Sequence, residues 1–219
     1  MFKSRWIAPV AIGVILIASQ ALAADKKVIA VSIPAADHGW TAGVVYHAQA
    51  AAKEVNTAFP DVEVVVKTSP SAAAQVSALE DLSAGRKLDA LVILPYSSEE
   101  LTTPVKAVKD AGTFITVVDR GLSDASIQDL YLAGDNIAVG RNTAKYMIEK
   151  LGGKGNLVVL RGIPTVIDDE RIQGFNDAIK ETELKVLDIQ YANWNSDEAF
   201  KLMQDYLCLL YTSPSPRDS

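Results

Sequence analysis

Short apolar runs alternate along this chain with amphipathic segments, and this alternation limits the available folds more than any other feature. Strands are predicted over seven runs: Val28–Ile33, Val62–Val66, Leu91–Leu94, Phe114–Val118, Leu130–Ala133, Asn156–Leu160 and Lys185–Tyr191. Helices are predicted between and after them: Trp40–Ala58, Ser71–Ala84, Ser98–Asp110, Ile137–Leu151, Asp168–Lys180 and Ser196–Leu207. Apolar strands joined by helices are typical of a parallel sheet covered on both faces. We therefore predict an α/β fold.

A polar break at Gly134-Asp135-Asn136 divides the predicted elements into two groups. We expect an N-terminal α/β lobe over residues 24–134 and a C-terminal α/β lobe over residues 135–207. Each lobe would place the carboxyl ends of its strands at one edge, where open α/β sheets bind ligands.

The first 23 residues are typical of an export signal. Lys3 and Arg5 give a positive start, Ile7–Leu22 is almost entirely apolar, and Ala21-Leu22-Ala23 forms a small-residue cleavage box. This order of features predicts a signal peptide over residues 1–23.

A membrane anchor is the alternative for this segment. The apolar stretch is interrupted by Pro9 and Gly13, whereas a spanning helix needs about 20 apolar residues. No cysteine follows the cleavage box, so no lipid would be attached there. We expect an exported, soluble protein of the periplasm of a Gram-negative organism.

The last twelve residues, 208–219, resemble a translated transposon-type sequencing adapter, Cys-Leu-Leu-Tyr-Thr-Ser-Pro-Ser-Pro-Arg-Asp-Ser. We interpret them as a non-native tail; a genuine disordered Ser/Pro tail is the alternative. Cys208 is the only cysteine of the chain. The preceding residues therefore predict neither disulfides nor thiol chemistry.

The composition and the missing motifs exclude several function classes. The formal net charge of −6 disfavours nucleic acid or an anionic membrane as a partner. The sequence has no dinucleotide, P-loop or nucleophile-elbow motif, and His38 and His47 lack the spacing of a metal pair. Asp168-Asp169-Glu170 fits the first turn of a helix better than a cation site. We expect a binding protein with no cofactor, not an enzyme.

Several residues suited to a hydroxyl-rich ligand follow the predicted strands. A carboxylate accepts from neighbouring hydroxyls, a guanidinium donates to several, and an indole stacks on the C–H face of a sugar. A surface ion pair and core tryptophans are the alternative for these residues. The candidate ligand-binding residues are Asp37, Trp40, Asp119, Arg120, Arg171, Asn193 and Trp194.

These residues occur in motifs that resemble the periplasmic solute-binding proteins of ribose-type sugar ABC transporters. The motifs are Val31-Ser32-Ile33, Asp37-His38-Gly39-Trp40, Val117-Val118-Asp119-Arg120, Gly134-Asp135-Asn136, Arg171-Ile172-Gln173-Gly174-Phe175 and Ala192-Asn193-Trp194. The resemblance implies a type I two-lobed fold whose cleft is lined by Asp37, Trp40, Asp119, Arg120, Arg171 and Trp194. Ribose-binding members have Asn-Pro-Phe-Phe where this chain has Asp37–Trp40, which leaves room for a larger sugar or a polyol.

The resemblance also implies a role and partners. A monomer would capture a neutral sugar or polyol between its lobes and deliver it to an inner-membrane ABC permease. The strands that return to both lobes would follow Leu207, so we expect the second lobe to be truncated. A receptor for signalling or chemotaxis is the alternative; the export signal argues against the effector domain of a sugar-responsive transcription regulator.

Overall fold

The computed structural model describes residues 26–36 and 38–211, which form seven strands and six α-helices. The strands are β1 (Lys27–Pro34), β2 (Val62–Ser69), β3 (Ala90–Ile93), β4 (Phe114–Val118), β5 (Leu130–Leu132), β6 (Lys154–Arg161) and β7 (Glu183–Tyr191). The helices are α1 (Gly39–Ala58), α2 (Ala72–Ser83), α3 (Ser98–Asp110), α4 (Asn136–Leu151), α5 (Val166–Ile179) and α6 (Ser196–Tyr211). The predicted α/β fold is confirmed.

Five strands form the larger sheet, in the order β2-β1-β3-β4-β5 with every neighbouring pair parallel. Helices cover both faces because the strands are apolar on both. On one face Leu79 and Leu101, from α2 and α3, pack against Leu91 of β3. On the other, Val44 of α1 packs beside Val31 of β1. Because all five strands are parallel, their carboxyl ends lie at one edge of this sheet.

The smaller sheet consists of β6 and β7, which are also parallel. Helices α4 and α5 pack with their backbones in direct contact. A Cβ built on Gly140 of α4 would lie 1.9 Å from the carbonyl oxygen of Arg171 on α5, and one on Gly174 would lie 2.1 Å from that of Ile137. Glycine at both positions therefore allows the two helices to come into contact.

Polar side chains at the ends of the helices fix where they begin. Ser97 accepts from the amide of Glu100 at the start of α3, and Asp135 accepts from that of Ala138 at the start of α4. Such caps satisfy amides that have no partner within the helix. Gly152, with φ of 62°, ends α4. The helices that follow β3 and β5 thus begin close to the edge where the strands end.

The predicted end of the last helix, Leu207, is wrong, because α6 continues to Tyr211. The side chains of Cys208, Leu209 and Leu210 are exposed. The helix needs no core contact there, since leucine has a high intrinsic helix propensity. The predicted signal peptide (1–23) and residues 212–219 of the predicted tail lie outside the described residues. Within the described ranges, no helix combines the length and apolar character needed to cross a membrane.

Candidate functional site

A cavity of about 460 Å³ lies where strand ends of both sheets meet. Its lining comes from the segments that follow β1, β4, β5, β6 and β7. The lining residues are His38, Trp40, Asp119, Arg120, Gly134, Asn136, Val139, Ile167, Arg171 and Trp194. The cavity therefore occupies the position where an open α/β sheet binds its ligand.

Asp119 lies directly after β4 and has a left-handed backbone, with φ of 61°. Two hydrogen bonds hold it there: its amide donates to the carbonyl of Leu132 at 2.8 Å, and its carbonyl accepts from the hydroxyl of Tyr131 at 2.7 Å. Aspartate tolerates this conformation better than most residues. Burial, helped by the carboxylates of Glu170 and Asp119, raises the pKa of Tyr131 to about 12. The hydroxyl therefore remains a donor at neutral pH.

Arg120 is buried, with only 2% of its surface exposed. Its Nη1 donates to the carbonyl of Tyr96 at 3.1 Å, in the loop between β3 and α3. Its guanidinium carbon lies 4.8 Å from the ring centroid of Trp194. A buried guanidinium needs fixed partners to offset its desolvation. Arg120 thus links a loop of the larger sheet to an aromatic side chain that follows the smaller one.

Trp194 follows β7 and has a left-handed backbone, with φ of 53°. This conformation is uncommon for a bulky residue, and such residues cluster at functional sites. The indole lies on Gly162, where an added Cβ would lie 2.0 Å from its Cε2 atom. Gly162 and Arg120 therefore both lie against the Trp194 ring.

Arg171 of α5 also lines the cavity and is held by a residue of α4. Its Nε donates to Oδ1 of Asn136 at 2.9 Å, while Nδ2 of Asn136 donates to the carbonyl of Gly134 at 3.0 Å. Asn136 is itself buried. The close packing of α4 on α5 therefore fixes the position of the second guanidinium.

Five of the predicted site residues share this cavity: Trp40, Asp119, Arg120, Arg171 and Trp194. Trp40 lies in the first turn of α1 with 57% of its surface exposed. Asn193 does not line the cavity; its side-chain Nδ2 donates instead to the carboxylate of Glu198 at 2.8 Å. Asp37 lies outside the described residues.

Sequence reasoning missed five lining residues: His38, Gly134, Asn136, Val139 and Ile167. His38 and Asn136 belong to motifs that follow strands, so the same criterion that selected Asp119 and Trp194 could have predicted that they line the cavity. Val139 and Ile167 are apolar residues of helices, a pattern that does not separate a cavity wall from a core.

Asp168 has a structural partner in Arg161, the last residue of β6. The carboxylate accepts from Nε of Arg161 at 2.8 Å and from the amide of Gly162 at 3.0 Å. This ion pair fixes the turn into α5. Among the described residues, no three His, Cys, Asp or Glu side chains are grouped as a metal site would require.

A family model described as the periplasmic binding protein domain matches residues 29–210. The D-apiose import binding protein of Paraburkholderia graminis is 26% identical over 207 residues, covering 94% of this chain and 65% of that protein. The ribose import binding protein of Bacillus subtilis is 28% identical over 145 residues, covering 66% of this chain and 47% of that protein.

A similar solved structure is that of an ABC transporter solute-binding protein from Agrobacterium vitis with bound D-fucose. The two structures superpose with a TM-score of 0.72 and share 25% sequence identity. The matched region covers 84% of this chain and 64% of the Agrobacterium vitis chain. The chain thus spans about half to two thirds of the length of these relatives, which are binding proteins and not enzymes. The family model, the relatives and the fold agree, and the chain belongs to the ribose-type, type I periplasmic binding proteins that its motifs resemble.

Proposed function

We propose that this chain is the ligand-binding part of a periplasmic receptor that captures a neutral sugar or polyol and delivers it to an ABC importer. One observation supports this most: Asp119, Arg120 and Arg171 line one cavity together with Trp40 and Trp194. A carboxylate and two guanidinium groups can accept from and donate to several hydroxyls, while the indoles cover C–H faces. The names of the relatives, which refer to apiose and ribose, support the same ligand class.

A neutral ligand is proposed because the cavity contains charges of both signs. Arg120 donates to the carbonyl of Tyr96, and Arg171 donates to the amide oxygen of Asn136. Both acceptors are neutral, and Asp119 adds a negative charge to the same cavity. Hydroxyl groups can donate to the carboxylate and accept from the guanidinium groups, whereas an anionic ligand can accept from the guanidinium groups but is repelled by the carboxylate.

The test is a thermal-shift screen of D-apiose, D-ribose, D-fucose, xylitol and myo-inositol, with D-gluconate as an anionic counterpart. We expect at least one neutral compound to raise the melting temperature, since a ligand at 100 times its Kd adds about 2.7 kcal/mol of stability. Calorimetry then gives its Kd. Preference for D-gluconate over every neutral compound would contradict the proposed ligand class.

The Asp119→Asn variant tests the site itself. Asparagine tolerates the left-handed backbone and keeps the shape, so the change removes mainly the charge. We expect binding of the tightest neutral compound to weaken by on the order of 2–5 kcal/mol if the carboxylate accepts from it in a desolvated cleft. Asp110→Asn, which removes the exposed partner of Lys106 on α3, is the control. Equal affinity of Asp119→Asn and the parent protein would show that the ligand binds elsewhere.

Delivery and location need experiments in cells. We expect osmotic shock of the producing cells to release the protein, and deletion of its gene to reduce uptake of the radiolabelled sugar or polyol. Normal uptake after deletion, with binding intact, would favour a signalling receptor instead.

A further inference from the structure

Gln75 of α2 is completely buried, and its carboxamide joins the ends of two strands. Nε2 donates to the hydroxyl of Ser32 on β1 at 3.1 Å and to the carbonyl of Leu94, just after β3, at 3.0 Å. Oε1 accepts from the amide of Tyr96 at 2.7 Å. No part of this side chain is exposed to solvent. Its contacts therefore lie within the core, behind the edge that forms the cavity.

Tyr96 connects this buried amide to the candidate site. Its amide nitrogen is held by Gln75, and its carbonyl accepts from Nη1 of Arg120 at 3.1 Å. Arg120 in turn stacks on Trp194, with 4.8 Å between the guanidinium carbon and the ring centroid. The hydrogen bonds of Gln75 thus fix the loop that gives Arg120 one of its acceptors.

We propose that Gln75 is a positioning residue for ligand binding, which acts through Tyr96 to hold Arg120 against Trp194. This inference rests on the proposed function of the cavity. The role needs a side chain that donates and accepts at once, because Leu94 offers a carbonyl and Tyr96 an amide. A hydrocarbon at position 75 would leave both groups buried without this partner and free the loop to move.

A purely structural role for Gln75 predicts a different result from a positioning role. In the structural case, its loss lowers the stability of the sheet and leaves Arg120 where it is. In the positioning case, its loss moves the guanidinium away from the indole even without ligand. The emission of Trp194 separates the two cases, because a cation over the ring face changes the electrostatic environment of the indole.

The first experiment uses the full chain with Trp6→Phe and Trp40→Phe, so that Trp194 is the remaining one of three tryptophans. Arg120→Ala in this background gives the emission of an indole without its guanidinium. We expect Gln75→Met, which is similar in size and lacks the amide, to shift the ligand-free emission in the same direction. Unchanged emission in Gln75→Met, with a clear shift in Arg120→Ala, would overturn the proposal.

Thr113→Val is the matched control. Thr113 is a buried polar residue that donates to the carbonyl of Leu88 at 3.0 Å, before the start of β3 and thus at its opposite end. We expect this variant to lose stability without a change in emission. If Gln75→Met does not fold, Gln75→Asn replaces it, since it keeps the carboxamide on a side chain one carbon too short to span the same partners. The same shift is expected, and its absence overturns the proposal.

The second experiment is a double-mutant cycle in the parent sequence, with the tightest of D-apiose, D-ribose, D-fucose, xylitol and myo-inositol as the probe. We expect Gln75→Met to weaken its affinity about tenfold when Arg120 is present, and less than about twofold when Arg120 is alanine. Equal losses in both backgrounds would overturn the positioning role. If Arg120→Ala binds the ligand as tightly as the parent protein, the proposed function of the cavity is overturned. The emission of the ligand-free protein would still decide the role of Gln75.

Discussion

At the scale of single residues, the hydroxyl of Tyr131 secures the left-handed backbone of Asp119. In Tyr131→Phe the carbonyl of Asp119 loses the donor at 2.7 Å. We expect the free energy of unfolding in urea to fall by about 1 kcal/mol, and binding of the best sugar or polyol to weaken several-fold as the carboxylate moves. Tyr46→Phe, on an exposed tyrosine of α1, is the control. Unchanged stability and affinity in Tyr131→Phe would show that other contacts hold Asp119.

The raised pKa of Tyr131 predicts how stability depends on pH in alkaline solution. Folding raises this pKa to about 12, with burial as the largest cause, whereas the pKa of a tyrosine in an unfolded chain is about 10. Between these values the folded state binds more protons, so the stabilising contribution is complete below about pH 10 and is lost as the pH rises towards 12. Tyr206 has a similarly raised pKa. Urea unfolding from pH 9 to 12 should therefore show a smaller decline in Tyr131→Phe than in the parent protein, and equal declines would contradict the assignment.

A site residue can be predicted from the sequence when its position relative to the strands is itself the signal. Asp119, Arg120 and Trp194 were predicted because they follow strands, and parallel strands end at one edge. Gln75 and Tyr131 were not, because their roles depend on which backbone groups are buried beside them. That information appears only once the elements are packed.

At the scale of elements, the contact between α4 and α5 depends on Gly140. In Gly140→Ala the added Cβ would overlap the carbonyl of Arg171, so the helices must separate. We expect a loss of about 1–3 kcal/mol in the free energy of unfolding, measured in urea. Binding should weaken as well, because Arg171 moves relative to Asn136.

Gly43→Ala is the matched control for this variant. Gly43 also lies within a helix, α1, and an added Cβ there meets no atom within 4 Å. Alanine has the higher helix propensity, so Gly43→Ala should be neutral or stabilising by up to about 1 kcal/mol. Equal effects of the two substitutions would show that the close approach of α4 and α5 does not determine stability.

The apolar pattern predicted whether each element is a helix or a strand, but it predicted the first and last residues of the elements less accurately. Helix α5 begins at Val166, two residues before the predicted Asp168. The amides of Asp168 and Asp169 donate to the carbonyl of Thr165, and the amide of Val166 donates to the hydroxyl of Ser98 at 3.2 Å. Ser98 lies 68 residues earlier in the sequence, so the apolar pattern of neighbouring residues does not show this contact.

At the scale of the whole molecule, one face of β7 presents an apolar stripe to solvent. Leu187, Ile189 and Tyr191 alternate along the strand, so they share a face, and each is more than 40% exposed. Exposed apolar patches of this kind bind hydrophobic dyes and promote association. We expect the folded protein to bind anilinonaphthalene sulfonate, and Leu187→Thr/Ile189→Thr to reduce the fluorescence several-fold. Lys185→Thr on the same strand should leave it unchanged; equal fluorescence in all three proteins would place the dye elsewhere.

The two tryptophans of the cavity differ in how freely they can be replaced. Trp194 is confined by Gly162, by Arg120 and by its own backbone conformation, so a substitution there disturbs both sheets at once. Trp40 lies in ordinary helical backbone and is largely exposed, so it can change with little cost to folding. On the proposed function, adaptation to a new nutrient, in evolution or in biosensor engineering, would therefore start at Trp40 and leave Trp194 unchanged.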